Sequence, residues 1–460
     1  MAPRVLLALT ASWALGIVPA RAEEHAQVPP ETQPEPSSTG LPAVRGLDFQ
    51  FSLVASWGNF GFLHSFYANP HPDQPSGNLS DNWFEGAVKP GLTATYAGPG
   101  GWQLYGKISA AGERTYGAPP TPVGESASSF QLDDLYLGWR SGKLLEGLGE
   151  DALDFKVGRA LYQLGHGFLI WDGAAEGGSR GGYWSNIRNA FSFASVGRFK
   201  TGPHTLEAFY LVKDELPEAS SGSKLLGGNY ELALGKATTI GVTYLRGFAH
   251  IDQKPTRDGL NVVDLRLFTA PFSSLPGLAF EAEYVKEHNG GLLDSTSWTA
   301  QASYEFDVKW KPRLSYRYAF FKGDDPSTTR SETFDPLFMG FYDWGTWWQG
   351  EIAGEYFVSN SNLVSHQVRL HASPTEKLGT GLIFYKFLLD NPAALGAAVG
   401  LPVTSDDVAI ELDWYADWKI NAHFTASFVA AWASPGAAAA QAFGRSQDFW
   451  YSMIYAAYNY

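Results

Sequence analysis

From Val408 to Trp418 the chain reads VAIELDWYADW, with aliphatic and tryptophan side chains alternating with acids and small residues. A period of two sends successive side chains to opposite faces of a strand, so this segment has one greasy face and one polar face. The same alternation runs through residues 47–53, 298–306 and 313–320. Beyond residue 22 no apolar run approaches the ~20 residues that a membrane-spanning helix needs. Aromatic residues nevertheless make up 15% of the chain. They gather in pairs at the ends of the alternating runs: Phe49 and Trp57, Trp298 and Phe306, Trp414 and Trp418, Phe424 and Trp432, Trp450 and Tyr460. A soluble sandwich alternates too, but only a barrel in lipid collects aromatics at headgroup level at both ends of its strands. In hydrocarbon every backbone polar group must be paired internally, which leaves the helix and the closed barrel. The pattern therefore predicts an all-β fold, a transmembrane antiparallel β-barrel in a bacterial outer membrane.

The start of the chain supports that compartment. Residues 1–4 carry one basic charge, residues 5–18 are uncharged and apolar, and Ala20-Arg21-Ala22 fits the small-x-small cleavage pattern. Residues 1–22 read as a secretory signal peptide. Residues 23–45 are rich in Pro, Glu and Ser and poor in large apolar residues, and read as a disordered periplasmic tail. Residues 46–460 read as the barrel. There are no cysteines, so an exported chain must be held together by something other than disulfides. The formal net charge of −14 argues against nucleic acid as a partner.

Short turn signals (98–100, 201–203, 234–236, 308–311) are separated by longer polar loops (58–85, 112–129, 322–345, 391–405, 434–446). Short connections on the periplasmic side and long ones outside are the outer-membrane pattern. Candidate strands number nineteen, and the parity slips between Trp347 and Pro374. Assigning the region 348–358 to a loop gives eighteen strands, with sixteen as the alternative. The final segment, Phe449 to Tyr460, puts Trp450, Ile454, Tyr458 and Tyr460 on one face. It is expected to pair with the first strand and close the barrel. Its terminal aromatic is also a feature that outer-membrane assembly machinery reads.

Function in such a protein lies in the lumen and loops. The inward face carries the basic set Lys89, Lys107, Lys156, Arg266, Arg313, Arg317 and Arg369 and the acidic set Glu281, Glu283, Glu305, Glu351, Glu355, Glu411 and Asp413. They read either as ion pairs that stiffen the wall or as a charged track for an ionic solute. Two stretches are less generic. Residues 154–184 pass from a strand into a glycine-spaced segment with Arg159, Arg180 and Arg188 in or beside it. This reads as a long surface loop, since loops mostly lie on surfaces, or as a constriction folded into the pore. Residues 332–356 crowd Trp344, Trp347 and Trp348 beside Asp335, Asp343, Glu351 and Glu355. Rings beside carboxylates suit sugars; the other reading is an interfacial girdle.

Val157-Gly158-Arg159 and Phe334-Asp335-Pro336-Leu337-Phe338 resemble motifs of the alginate-export family of outer-membrane barrels, although Ala160 stands where that family commonly has Gln. The resemblance covers most of the chain from about Leu47. It implies an 18-stranded monomeric porin that passes an anionic uronate polysaccharide along an arginine-lined lumen, with Arg159 on the path and periplasmic export partners possible. The inward acids depart from the net positive path that a polyanion should need. Catalysis is disfavoured. His366 and His371 near Ser361, Asn362 and Ser365 have suitable chemistry but lie on one alternating strand, and Glu351 with Glu355 is only a carboxylate pair. No metal-ligand pattern or cofactor motif is present.

Overall fold

A computed structural model describes residues 46–65, 80–117, 119–120, 126–341 and 343–460. The expected signal peptide and periplasmic tail lie outside the described residues. Eighteen antiparallel strands are formed. They are β1 (Leu47–Leu63), β2 (Asp81–Ala97), β3 (Gln103–Tyr116), β4 (Ser128–Arg140), β5 (Leu153–Ala160), β6 (Phe191–Thr201), β7 (His204–Val212), β8 (Lys224–Leu234) and β9 (Thr238–Phe248). The second half comprises β10 (Asn261–Thr269), β11 (Leu278–Asn289), β12 (Leu293–Glu305), β13 (Arg313–Phe321), β14 (Leu363–Thr375), β15 (Leu378–Leu388), β16 (Asp407–Lys419), β17 (Phe424–Pro435) and β18 (Phe449–Asn459). Each strand pairs with its sequence neighbours, and β1 also pairs with β18. Closure is sealed where Tyr460 N–H donates to the Leu53 carbonyl and Leu53 N–H donates to that of Tyr460, both at 2.9 Å. No sheet edge is left for lipid to solvate.

The alternation has its expected physical result. On β16, Leu412 and Trp414 are exposed on the outer wall, while Glu411, Asp413 and Tyr415 are buried inside. On β18, Trp450 and Ile454 face out and Tyr451, Met453 and Tyr455 face in. Eighteen strands rather than sixteen are present, and residues 350–354 form a helical turn within a loop, which accounts for the parity slip.

Counting from the first long connection, the third (L3, residues 161–190) and the seventh (L7, residues 322–362) do not lie on the surface. Leu169, Ile170, Trp184, Arg188, Ile352 and Ala353 are all fully buried. The apolar residues of both loops join wall residues such as Phe60, Trp83, Phe209, Val285, Phe321 and Tyr385 in one continuous core. The surface-loop reading of 154–184 is therefore corrected. Two short helices, α1 (Pro392–Val399) and α2 (Ala437–Phe443), occupy the connections before β16 and β18.

Candidate functional site

The two unusual stretches of the sequence meet inside the barrel. Phe338 N–H donates to the Leu169 carbonyl (2.9 Å), and Trp171 and Asp172 donate back to the Phe338 carbonyl (2.8 and 3.1 Å). Gly340 N–H reaches the Gly167 carbonyl at 2.9 Å. Trp347 Nε1 donates to the His166 carbonyl (2.8 Å), and its ring meets Phe168 edge-on at 4.6 Å. L3 and L7 are thus joined to one another inside the barrel.

Its hub is Asp214, in the connection after β7. Arg159 Nη2 reaches its carboxylate at 2.5 Å, Arg180 Nη2 at 3.2 Å, and Arg188 also pairs with it. Arg188 bonds Glu176 at 2.5 Å with its other nitrogen. Burial works to raise the Asp214 carboxyl, but Arg188, Arg180 and Arg159 outweigh it and hold it below the ordinary carboxylate range. Arg159 would face lipid by strict alternation, because Phe155 and Val157 are exposed on the outer wall. Gly158 has φ +129°, and the pairing of β5 with β6 shifts register between Gly158 and Ala160. An added Cβ at Gly158 would sit 2.2 Å from the Leu135 carbonyl oxygen. Only glycine fits there, and the irregular backbone turns the next side chain toward the hub.

The second motif is a mirror of the first. Asp335 takes a two-pronged bond from Arg257, one prong at 2.7 Å, and accepts from Leu337 N–H at 3.1 Å. Phe338 is flanked by Lys213 and Arg257, 5.2 and 5.5 Å from its ring centre.

The wall acids have a shared task. Glu85 accepts from Trp184 and Ser185 N–H (3.0 and 2.7 Å), Glu113 from Ile187 N–H (2.9 Å), and Asp133 from Ala190 N–H (3.1 Å). Those hold L3. For L7, Glu287 accepts from Asp335 N–H (2.9 Å), Asp413 from Glu351 N–H (3.2 Å), and Glu411 from Ile352 and Ala353 N–H (2.8 and 2.7 Å). Loop backbone folded into a barrel must find acceptors for its N–H groups, and carboxylates are the strongest available. Sequence reasoning missed Glu85, Glu113, Asp133, Glu287 and the Asp214 hub. The first two share the inward parity of Lys89 and Lys107, a signal that was present; Asp214 lies in a polar loop with no local mark.

The expected site residues divide accordingly. Lys89 bonds Asp133 (2.6 Å) and the Ile187 carbonyl (3.0 Å), and Lys107 bonds Asp134 (3.0 Å). Lys156 donates to the Leu161 carbonyl (2.8 Å), and Arg313 to Ser303 (2.9 Å). Arg266 is buried against Asp264, Asn229 and Thr243. Arg317 is buried, donates to the Gly345 carbonyl and covers Trp347. Arg369 holds Asp343 at 2.5 Å and Tyr415 at 2.6 Å. Arg180 and Arg188 are buried within L3, and Glu351 and Glu355 within L7. Trp344, Trp347 and Trp348 are 5–6% exposed, which corrects the interfacial-girdle reading. Trp344 stacks on Tyr415 at 4.8 Å and donates to Asp417 at 2.6 Å; Trp348 meets Phe341 edge-on. His366 bonds Tyr316 on the outer wall while His371 bonds Tyr415 within, so the two histidines are on opposite faces.

A family model described as alginate export matches residues 113–451. The chain belongs to the alginate export family. No curated protein matches the sequence. Three solved structures share the fold of this alginate export barrel. Pseudomonas aeruginosa OccK5 (OpdH) has a TM-score of 0.54 at 10% identity, covering 89% of this chain and 97% of its own. Pseudomonas aeruginosa OccK11 (OpdR) gives 0.54 at 11%, covering 90% and 96%. Acinetobacter baumannii OccAB4 gives 0.54 at 9%, covering 89% and 98%. The alginate export barrel is an outer-membrane channel and not an enzyme.

Proposed function

We propose that this channel passes an anionic saccharide, a uronate polysaccharide or its oligosaccharides, as a monomer. The observation that carries the reading is the division of labour among the lumen charges. Glu85, Glu113, Asp133, Glu287, Glu411 and Asp413 are each at most 5% exposed and accept main-chain N–H groups from the loops. Cations keep more access: the side chains of Arg198, Lys107 and Arg159 are 53, 28 and 22% exposed. Accessible acids stand against them: Glu305 is exposed, and the side chains of Glu231, Asp343 and Glu281 are 32, 27 and 24% exposed. The excess of acids over bases in the composition is therefore a poor guide to the path, because much of the acid is spent on holding the loops. A guanidinium suits a carboxylate in planar, two-pronged geometry, which is what a uronate presents at each sugar. Family membership points the same way. The second reading is a general small-solute porin, favoured by the protein partners that already occupy the faces of Trp344, Trp347 and Trp348.

The test is block of single-channel current by oligouronate, compared with a neutral oligosaccharide of equal length. Block by the uronate alone supports the reading. Equal block by both, or none, leaves a general porin.

A further inference from the structure

The outer wall carries a basic patch that the channel function does not use. On β8 to β11 the outward positions alternate through exposed apolar residues: Leu226, Val242, Tyr244, Val263, Leu265 and Tyr284. At the extracellular ends that series turns cationic. Arg246 lies beside Asn261, which lies beside His288, which lies beside Asp294. Lys224 sits one pairing above, opposite Phe248, and Lys286 sits two residues below His288, opposite Val263. All share the outward parity. Lys286 and Arg330 both bond Asp294, Arg330 at 3.2 Å. Lys224 and Arg246 have no carboxylate within ion-pair distance among the described residues; the Arg246 guanidinium covers the Phe248 ring at 5.5 Å. Of these four cations, Lys286 and Arg330 share the Asp294 carboxylate, and Lys224 and Arg246 form no ion pair among the described residues.

The position is within side-chain reach of the headgroups. Arg246 and Lys286 are each eight residues above the periplasmic start of their strands. At about 3.3 Å per residue and a tilt near 40°, that is roughly 20 Å along the membrane normal. With an apolar band about 25 Å tall, a long cationic side chain there starts just below the outer edge of the hydrocarbon and snorkels up to the headgroups; Lys224, opposite Phe248, lies one pairing higher. The rest of the described outer rim differs. On β15, Lys386 is neutralised by Asp407 at 2.5 Å, and on β3 Arg114 stands alone over Tyr116.

We propose that the Lys224–Arg246–Lys286 face is a docking site for a phosphorylated glycolipid of the outer leaflet. Its phosphate bridges Lys224 and Arg246, and its acyl chains lie along Leu226, Tyr244 and Val263 below. Charge complementarity selects the phosphate and the apolar strip selects a lipid over a free ion. The proposal is independent of the solute that the lumen carries.

The experiment is native mass spectrometry of the full-length protein released from mixed micelles containing bis-phosphorylated lipid A. Wild-type protein is expected to retain one lipid. Lys224→Gln with Arg246→Gln is expected to weaken retention about 25-fold, at roughly fivefold per cation near an anionic surface. Arg114→Gln with Lys386→Gln should retain lipid as wild type does. Dephosphorylated lipid A should be lost from wild type, and millimolar inorganic phosphate should not displace the bound lipid. Unchanged single-channel conductance certifies that the variants are folded. Equal retention by wild type and the Lys224/Arg246 variant, retention that ignores the phosphate, or displacement by inorganic phosphate would each overturn the proposal.

Discussion

L3 and L7 occupy the same lumen and are held there by different electrostatics. Both give main-chain N–H groups to wall carboxylates. In L3 the buried charge is compensated: Arg159, Arg180 and Arg188 converge on Asp214, and Glu176 completes the set. The inner segment of L7 is not compensated in that way. Glu351 and Glu355 are buried among further acids: Asp413 lies close to Glu351, and Glu351 and Glu85 lie close to Glu355. Burial pushes the Glu355 carboxyl well above its ordinary value, and Glu351 and Glu85 push it further. Burial raises Glu351 in the same way, with Asp413 adding to it. L3 is therefore expected to be a fixed part of the wall, and the inner segment of L7 to be docked conditionally on the protonation of its acids.

The largest test of that difference is removal of the hub. Asp214→Ala leaves three guanidinium groups around a missing partner, one of them fully buried. It should cost about 3 kcal/mol, the low end of the usual penalty for breaking a buried pair, because Arg188 keeps Glu176; the readout is denaturant unfolding in detergent. A cost below about 1 kcal/mol, as for an exposed pair, would mean that L3 is not locked by charge. Next comes Glu411→Leu. It removes the acceptor of two N–H bonds at roughly 1.5 kcal/mol or more each. The expected result is higher single-channel conductance with barrel unfolding little changed, because the loss falls on L7 docking. Conductance equal to wild type would break the assignment of Glu411 as an anchor.

A pH series sharpens the contrast, because Asp214 and Glu355 are shifted in opposite directions. Asp214 is held below its ordinary value of 3.8. Its contribution is therefore complete above that value and is lost as the pH falls through the depressed one. Glu355 is raised above 4.5. Below that value it is neutral in docked and undocked loops alike. Above it the undocked loop releases its proton first, so docking weakens as the pH climbs toward the raised value. Conductance should rise severalfold above about pH 5, and Glu355→Gln should flatten the rise. A profile that is flat in wild type, or unchanged in the variant, would remove L7 from this role. The smallest expected effect is Arg159→Ala, a reversal-potential shift of a few millivolts toward lower anion preference. Arg317→Ala should act differently, by loosening L7 at Gly345, and change conductance more than selectivity.

How much of this could be read in advance follows from the range of the interactions. Alternation and end aromatics are local, and they specify strands, the outward face and the β1–β18 seam. The strand number also followed, since one helical turn at 350–354 explained the odd parity. The inward course of L3 was not legible. A glycine-spaced segment has the same local pattern on a surface or in a lumen, and its acceptors Glu85 and Glu113 are some 70–100 positions away. Arg159 shows the limit at one residue. Alternation sends it into lipid, and only the backbone at Gly158 brings it inside. The short motif around it held that information as a pattern before geometry explained it.

The central claim is that the wall acids are committed to the loops, so that cations set the charge of the path. The most direct test is the reversal potential of the refolded protein in a planar bilayer under a salt gradient at neutral pH. Anion selectivity is the expected result. Cation selectivity would show that the inward acids govern the path after all, and would contradict it.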